Sequence, residues 1–227
     1  MMVQFSALLL SLLTALSVGF DTLAAQIAPE GYLMLVNRSF MLSADYEPED
    51  LVRPNVKHTS TAILMRKDAA AALEALFNAA QEEAGLTLYA HSGYRSYGTQ
   101  RAIYERKIKN SKSLAQARLL VADPGASEHQ LGLAMDIKNS KNGLLNAAFG
   151  KSKEGKWLAE NAWRFGFIIR YKAEWTDITG YAYEPWHVRY VGLEHAQILQ
   201  ELDIPLEEYV LSLRTLLADA RLEGDTP

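Results

Sequence analysis

Two segments of this sequence carry side chains that can bind a metal ion and move protons. The first is residues 127–136, SEHQLGLAMD, and the second is residues 184–190, EPWHVRY. Their imidazoles and carboxylates belong to His129, Asp136, Glu184 and His187. Two imidazoles and one carboxylate leave a coordination position open on a first-row metal, and a spare glutamate can transfer protons. The set therefore predicts a metal-dependent hydrolase.

Alternating apolar residues indicate that both segments contain a β-strand with one buried face. In residues 133–137 every second side chain is large and apolar, and Asp136 lies between them. In residues 186–190 the same alternation separates His187 from the large apolar side chains. Each strand thus offers one metal ligand on its polar face. Because a proline follows Glu184 and disfavours helix there, we expect Glu184 at the strand entrance, near metal-bound water.

A second class of metal enzyme also uses two histidines and one carboxylate. Non-haem iron oxygenases usually place the histidine and the carboxylate two residues apart on one strand, whereas His129 and Asp136 are seven apart. The spacing therefore favours the hydrolase. The other histidines are not accompanied by a comparable set of potential metal ligands, and we interpret them as surface or structural groups. They are His58, His91 and His195.

The rest of the chain is predicted to be helices that flank a small sheet. Asp68 is expected to cap a helix with apolar residues at helical spacing, and Gly85 is expected to end it. Further helices are predicted over residues 100–109, 114–122, 157–165, 193–202 and 206–217. Strands are predicted over residues 86–90 and 167–171. The predicted fold class is α+β, with an antiparallel sheet that carries the site.

Length and composition are typical of a single enzyme domain. The chain has 227 residues, of which 49% are apolar and 10% aromatic, and this excludes a disordered protein. With 23 basic and 27 acidic residues the net charge is −4, and no basic run suggests nucleic acid as a partner. The absence of cysteine excludes disulfides and a cysteine-ligated metal.

The first 25 residues have the outline of a secretory leader. An apolar run of fourteen residues, 7–20, is shorter than the ~20 that span a bilayer, and residues 22–25 offer a peptidase cleavage site. No lysine or arginine precedes Arg38, and the alternative is a hydrophobic first helix. We expect a signal peptide at 1–25 and a single domain at 26–227 without a transmembrane helix. The protein would then be exported, periplasmic or extracytoplasmic, and tethered if the leader is not cleaved.

Three motifs of the chain resemble the signatures of the VanY-type D-alanyl-D-alanine carboxypeptidases, a family of zinc metallopeptidases. They are SGYRS at residues 92–96, SxHxxGxAxD at 127–136 and ExWHxRY at 184–190. The resemblance extends from about residue 35 to about residue 209. It implies a hedgehog/D-Ala-D-Ala-peptidase-like fold, with zinc as the cofactor.

The resemblance also implies a role for individual residues. The zinc ligands are His129, Asp136 and His187, and Glu184 is the catalytic acid/base. Arg95 is the candidate for binding an oxyanion or the terminal carboxylate of the substrate, because a guanidinium donates two parallel hydrogen bonds. The remaining candidates for substrate contact are Ser127, Gln100 and Tyr94.

The substrate that the resemblance implies is the stem peptide of bacterial peptidoglycan, or its precursor, from which a C-terminal D-alanine is removed. An L,D-carboxypeptidase that acts on the tetrapeptide stem and a peptidoglycan endopeptidase are alternatives with the same chemistry. A non-catalytic cell-wall-peptide binding protein is an alternative from a different class. The intact Glu184 and the complete ligand set argue against it.

Overall fold

The structure is a computed structural model that describes Ser11 and residues 19–224. Its helices are α1 (Phe20–Ile27), α2 (Lys67–Ala84), α3 (Tyr97–Lys109), α4 (Leu114–Leu120), α5 (Lys153–Asn161), α6 (Thr176–Thr179), α7 (Leu193–Leu202) and α8 (Leu206–Gly224). Its strands are β1 (Leu51–Val52), β2 (Met65–Arg66), β3 (Tyr89–Ser92), β4 (Ala134–Lys138), β5 (Phe167–Tyr171) and β6 (Glu184–Tyr190). Among the described residues, no helix has both the length and the apolar character needed to cross a membrane.

A four-stranded antiparallel sheet lies at the centre of the molecule. Its strand order is β3-β4-β6-β5, and β1 pairs with β2 in a separate ribbon. In the register of β4 with β6, Asp136 lies opposite His187, and Met135 lies opposite Val188. Directly opposed side chains share a face of the sheet, so one face carries the two polar residues and the other is apolar. The predicted α+β fold with an antiparallel sheet is confirmed.

The apolar face of the sheet packs against α2. Met135, Ile137 and Val188 join buried residues of this helix in one apolar cluster. The helix contributes side chains that recur at helical spacing, among them Leu73, Leu76, Phe77 and Ala80. Because this packing fixes the inner face of β4 and β6, it also fixes the direction in which their polar side chains point.

Helix α2 does not begin as the sequence predicts. Its N-cap residue is Arg66, without a capping side-chain hydrogen bond, and Asp68 lies inside the first turn. The Asp68 carboxylate accepts a hydrogen bond from the Tyr32 hydroxyl, a partner that is distant in sequence. The predicted end of the helix is confirmed, since Gly85 adopts the left-handed conformation with φ 66°.

Serine caps place two other helices earlier than predicted. Helix α3 begins at Tyr97 because the Ser96 hydroxyl accepts a backbone hydrogen bond of 3.2 Å. Helix α5 begins at Lys153 because Ser152 caps it with a hydrogen bond of 3.0 Å, and a 3₁₀ turn then continues it. Strand β3 lies further along the chain than residues 86–90, α4 ends before 122 and α8 continues beyond 217. The predicted bounds of β5 and α7 are confirmed.

Most of the predicted leader lies outside the described residues. Its last part forms α1, and residues 22–25 lie inside this helix. Leu23 is buried in a second apolar cluster with residues of α7 and α8, such as Leu199 and Leu213. Cleavage after Ala25 would therefore remove a side chain from this cluster.

Candidate active site

Neighbouring strands bring two of the predicted metal ligands together. Asp136 on β4 and His187 on β6 are paired residues, and the His187 Nδ1 lies 3.2 Å from the Asp136 Oδ1. Both side chains are buried. The alternation of the two strands thus places an imidazole and a carboxylate side by side, as the sequence predicts.

The third predicted ligand comes from a turn that precedes β4. His129 lies in the 3₁₀ turn Glu128–Leu131, which ends at Gly132 in the left-handed conformation. Its Nδ1 lies 2.7 Å from the Gly93 carbonyl oxygen, and since a carbonyl can only accept, Nδ1 carries the proton. The Nε2 lies 3.4 Å from the Asp136 Oδ2 and remains free to bind a metal.

These three residues fit a zinc ion. Their ligand atoms all lie within 4.8 Å of one another, and all three side chains are buried. Two imidazole nitrogens and one carboxylate oxygen are a donor set that zinc uses in hydrolytic enzymes, with a fourth position for water or substrate. The residues that would hold the metal are His129, Asp136 and His187.

The pocket favours a positive charge where these ligands meet. Burial lowers the pKa of His129 to about 4, so its imidazole is neutral. For His187, hydrogen bonds to Asp136 and Glu128 outweigh burial and raise the pKa to about 9. Burial opposes ionisation of Asp136, but its two histidine neighbours hold its pKa well below the usual range. A metal ion that binds His187 in place of this proton would be stabilised by the negative charge of the same two carboxylates.

Glu184 begins β6, which is the position that the sequence predicts. Its Oε2 lies 3.9 Å from the His187 Nδ1, close to the ligands without belonging to the three-residue cluster. Burial raises the pKa of Glu184 to about 7. A carboxyl group with this pKa can accept and return a proton near neutral pH, so Glu184 is placed to act as general acid/base.

Arg95 is a further neighbour of Asp136. Its Nη2 is 3.7 Å from the Asp136 Oδ2, and its Nη1 donates a hydrogen bond of 2.9 Å to the Gln100 Oε1. The Gln100 Nε2 in turn donates to the Ala122 carbonyl at 2.7 Å. Both ends of the Gln100 amide are therefore engaged by the protein, and Gln100 holds the Arg95 guanidinium in place.

A cavity of about 240 Å³ contains the predicted residues except one. Ser127 and Gln100 line it together with the ligands, Glu184 and Arg95, and apolar side chains from α3, α4 and Leu145 are also part of the lining. Tyr94 is not among the lining residues, and burial together with the neighbouring Glu47 raises the pKa of its hydroxyl to about 12. A larger cavity of about 380 Å³ beside β5 holds none of the predicted site residues.

One residue of the site has no role in the sequence-based prediction. Glu128 is fully buried, and its Oε1 accepts hydrogen bonds of 2.8 Å from both Arg170 and Arg189. Burial opposes its ionisation, but these two guanidinium groups outweigh burial and hold the pKa of Glu128 well below its usual range. Its Oε2 lies 3.5 Å from the His187 Nε2. The sequence does show that Glu128 lies between two predicted site residues. Its arginine partners could not be identified from sequence, because they are 42 and 61 residues away along the chain.

Comparison with known proteins gives the same assignment as the site. The family model of VanY, described as D-alanyl-D-alanine carboxypeptidase, matches residues 62–193. A putative carboxypeptidase, YodJ of Bacillus subtilis (strain 168), is 48% identical over 186 residues. The matched region covers 80% of this chain and 67% of that protein.

Solved structures share both the fold and a large part of the sequence. The LD-carboxypeptidase LdcB, whose structure concerns peptidoglycan recognition, is 47% identical with a TM-score of 0.76, over 81% of this chain and 87% of that one. A mutant of the vancomycin resistance D,D-pentapeptidase VanY in complex with Zn(II) is 37% identical with a TM-score of 0.66. That match covers 79% of this chain and 98% of the other. The predicted family and fold are confirmed, and the chain belongs to the VanY family of D-alanyl-D-alanine carboxypeptidases as a zinc metallopeptidase.

Proposed function

We propose that this protein is a zinc-dependent carboxypeptidase that removes the C-terminal D-alanine from the stem peptide of bacterial peptidoglycan. The observation that carries the proposal is the meeting of three groups in one cavity. They are the zinc-binding cluster, a glutamate whose pKa is raised to about 7 and a guanidinium held by Gln100. Hydrolysis of a peptide bond next to a free carboxylate needs each of these groups.

Proton transfer is the task of Glu184. When bound, zinc lowers the pKa of water toward ~7 and polarises the carbonyl of the scissile bond. Glu184, with its pKa raised by burial to about 7, accepts a proton from the attacking water and donates it to the leaving amine. Burial of the site excludes bulk water and strengthens the electrostatic contribution of each charge.

Recognition of the chain end is the task of Arg95. Its guanidinium is nearly buried and stays cationic, although burial lowers its pKa. A fixed cation that is only partly exposed can bind the terminal carboxylate of a peptide through two parallel hydrogen bonds. Ser127 lines the same cavity and offers a hydroxyl to the peptide. A substrate without a free terminal carboxylate lacks this interaction, which favours a carboxypeptidase over an endopeptidase.

A second candidate is removal of D-alanine from a tetrapeptide stem, which is an L,D-carboxypeptidase activity. It is favoured by the similarity to LdcB, which has the higher identity, 47% against 37%, and the higher TM-score, 0.76 against 0.66. In both reactions the leaving group is D-alanine, so the Arg95 contact is the same. The difference lies in the residue before the scissile bond.

Incubation with purified pentapeptide and tetrapeptide muropeptides tests both candidates. Mass spectrometry of the products should show loss of one alanine, and we expect it from the pentapeptide. Cleavage of the tetrapeptide alone would replace the first candidate by the second. If protein that holds zinc cleaves neither peptide, both candidates are wrong, and absence of turnover of any muropeptide would indicate a binding protein.

Export is a further part of the proposal. A periplasmic or extracytoplasmic location is supported by the short apolar run at residues 7–20 and the small residues after it. N-terminal sequencing of the protein from its native host should give a mature chain that starts near Gln26. An intact Met1 in the cytoplasmic fraction would contradict export.

A further inference from the structure

We propose that Glu128 is a positioning residue of the metal centre, whose Oε2 accepts a hydrogen bond from the His187 Nε2 and so presents Nδ1 to zinc. The inference rests on the zinc-binding part of the proposed function and is independent of which peptide is cleaved.

The geometry at His187 identifies the two ends of the ring. The Nδ1 faces the other ligands, 3.2 Å from the Asp136 Oδ1, whereas the Nε2 faces away from them, 3.5 Å from the Glu128 Oε2. Both Nε2 and Oε2 are buried, and neither has another hydrogen-bond partner among the described residues. At 3.5 Å the contact is longer than an ordinary hydrogen bond, but pairing these two atoms satisfies both.

Glu128 is held in this position as an anion. Its other oxygen accepts hydrogen bonds of 2.8 Å from Arg170 and Arg189, which are themselves buried. Glu207 binds the far side of the Arg170 guanidinium at 2.9 and 2.6 Å, so two acids offset two arginines. Because Oε1 is engaged by both arginines, the oxygen that remains free is the one that faces His187.

An ionised carboxylate can only accept hydrogen bonds, and this decides the tautomer of His187. With Glu128 as the acceptor, the proton of the neutral ring lies on Nε2, and the lone pair for the metal lies on Nδ1. His129 is fixed in the opposite sense, because the Gly93 carbonyl accepts from its Nδ1 at 2.7 Å. Each histidine therefore binds the metal through one nitrogen while a protein acceptor orients the other, as metal-ligating histidines generally require.

Glu128→Gln tests the proposal, with Glu207→Gln as the matched control. Both variants remove one negative charge from Arg170, but among the described residues the side-chain hydrogen bonds of Glu207 are with Arg170 and Asn37, and its carboxylate has no ion pair with His187. In Glu128→Gln the amide oxygen is needed by the two arginines, which turns the NH₂ group toward the Nε2 of His187. Two donors then face each other, and the ring is pushed toward the wrong tautomer.

Zinc affinity is measured by competition with a chelator, without substrate, together with the melting temperature of each metal-free protein. Loss of a partner that orients a ligand costs about 10- to 100-fold in metal affinity. We expect this loss in Glu128→Gln and a change of less than about threefold in Glu207→Gln, since only the first change reaches a ligand. Equal losses in the two variants, or unchanged affinity in Glu128→Gln, would mean that Glu128 only stabilises the arginine network, and the proposal would be wrong.

A second measurement does not depend on how the variants fold. In zinc-loaded wild-type protein with ¹⁵N-labelled histidine, long-range ¹H–¹⁵N spectra report which nitrogen of His187 carries the proton. The proposal requires a proton on Nε2, and a proton on Nδ1 overturns it. Because no substrate is present in either experiment, failure of the peptidase assay leaves this result unaffected, and the reverse also holds.

Discussion

Glu184 combines two properties that suit proton transfer at a metal centre. It lies 3.9 Å from a metal-binding histidine, and burial raises its pKa to about 7. An ordinary glutamate, with a pKa of about 4.3, would be a poorer proton donor to the leaving amine at neutral pH. The partial burial of this side chain would thus allow one residue to act first as base and then as acid.

Replacement of Glu184 by glutamine should separate catalysis from metal binding. Glutamine keeps the volume of the side chain but cannot carry the proton, so kcat should fall by about 10²- to 10⁴-fold. Zinc content should remain near one ion per chain, and KM should change little. Steady-state kinetics and elemental analysis on the same preparation measure these quantities. A variant that keeps zinc and more than about a tenth of the wild-type kcat would contradict the role of Glu184.

Arg95→Lys should weaken recognition of the substrate's terminal carboxylate. A lysine ammonium cannot reproduce two parallel hydrogen bonds, so kcat/KM should fall by about 10- to 100-fold, the range of a charged hydrogen bond. Arg101→Lys is the control, because that arginine is exposed and, in the part of the chain that the structure describes, its ion pair is with Glu105 at 3.9 Å.

A peptide with a C-terminal amide completes the test of Arg95. Wild-type enzyme should lose a similar factor in kcat/KM on this peptide, and Arg95→Lys should lose little more, since the interaction is already absent. If the losses from the variant and from the amide multiply, Arg95 acts elsewhere in the reaction.

The residues of the metal site could be predicted from sequence because their motifs are local. His129 and Asp136 lie in one ten-residue segment, and alternation alone sets the face on which Asp136 and His187 lie. Glu128 could not be assigned in this way, since its role depends on arginines brought from β5 and β6 by the fold. For Gln100 the sequence indicates a polar residue near the site, but only the structure shows that its amide is used to hold Arg95.

At the scale of elements, the spacing of apolar residues and the capping of helices determined which bounds could be predicted from sequence. Strand β5 and helix α7 have the predicted bounds because their apolar patterns are unambiguous and a glycine precedes each of them. Helices α3 and α5 begin earlier than predicted because single serine hydroxyls extend them over polar residues, which have no apolar period. Asp68 does not cap α2, because its carboxylate instead accepts a hydrogen bond from the Tyr32 hydroxyl, a tertiary contact that the local sequence does not reveal.

The contact between α7 and α8 should make stability depend on pH. His195 is buried, and its Nδ1 lies 2.8 Å from the Tyr209 hydroxyl, while Glu194 is its acidic neighbour. Burial lowers the pKa of His195 to about 4, whereas the unfolded chain titrates near its ordinary value of 6.5. Below pH 6.5 the unfolded state therefore binds more protons, and the free energy of unfolding should fall until about pH 4, by up to about 3 kcal/mol.

Urea unfolding at several pH values between 7 and 4.5 checks this prediction. Because other groups also titrate in this range, the relevant quantity is the difference from His195→Gln, which cannot be protonated. Wild-type protein should lose stability more steeply than the variant as the pH falls. Parallel curves for the two proteins would mean that His195 is not buried in its neutral form.

At the scale of the whole molecule, two apolar clusters stabilise different parts of the fold. The first, between α2 and the sheet, positions the metal ligands, and the second joins α1, α7 and α8 and contains none of the predicted site residues. Removal of a contact in the second cluster should therefore change stability and leave catalysis unchanged. Sequence patterns indicate each helix but not how the helices are divided between the clusters, because helices distant in sequence meet there.

Leu23→Ala in the full chain tests this division. Leu23 is 1% exposed in the second cluster, so its truncation should lower the free energy of unfolding by about 2–5 kcal/mol. Leu211→Ala is the control, since Leu211 is 66% exposed on α8 and its loss should cost less than about 0.5 kcal/mol. Denaturant unfolding gives both values, and kcat should be the same in both variants. Equal stability of the two variants would show that Leu23 does not stabilise the full chain.

The close packing around Gly93 has a consequence for how this enzyme can change its specificity. A β-carbon at this position would lie 2.3 Å from the Leu64 carbonyl oxygen, so the backbone has no room for a side chain. The Gly93 carbonyl orients His129, and two residues later the Arg95 backbone N–H donates to the His129 carbonyl at 3.1 Å. Any substitution at Gly93 would thus disturb the metal and the carboxylate-binding arginine together. Selection for a new substrate should therefore leave this segment intact and act on lining residues that are not metal ligands, such as Leu120 and Leu145.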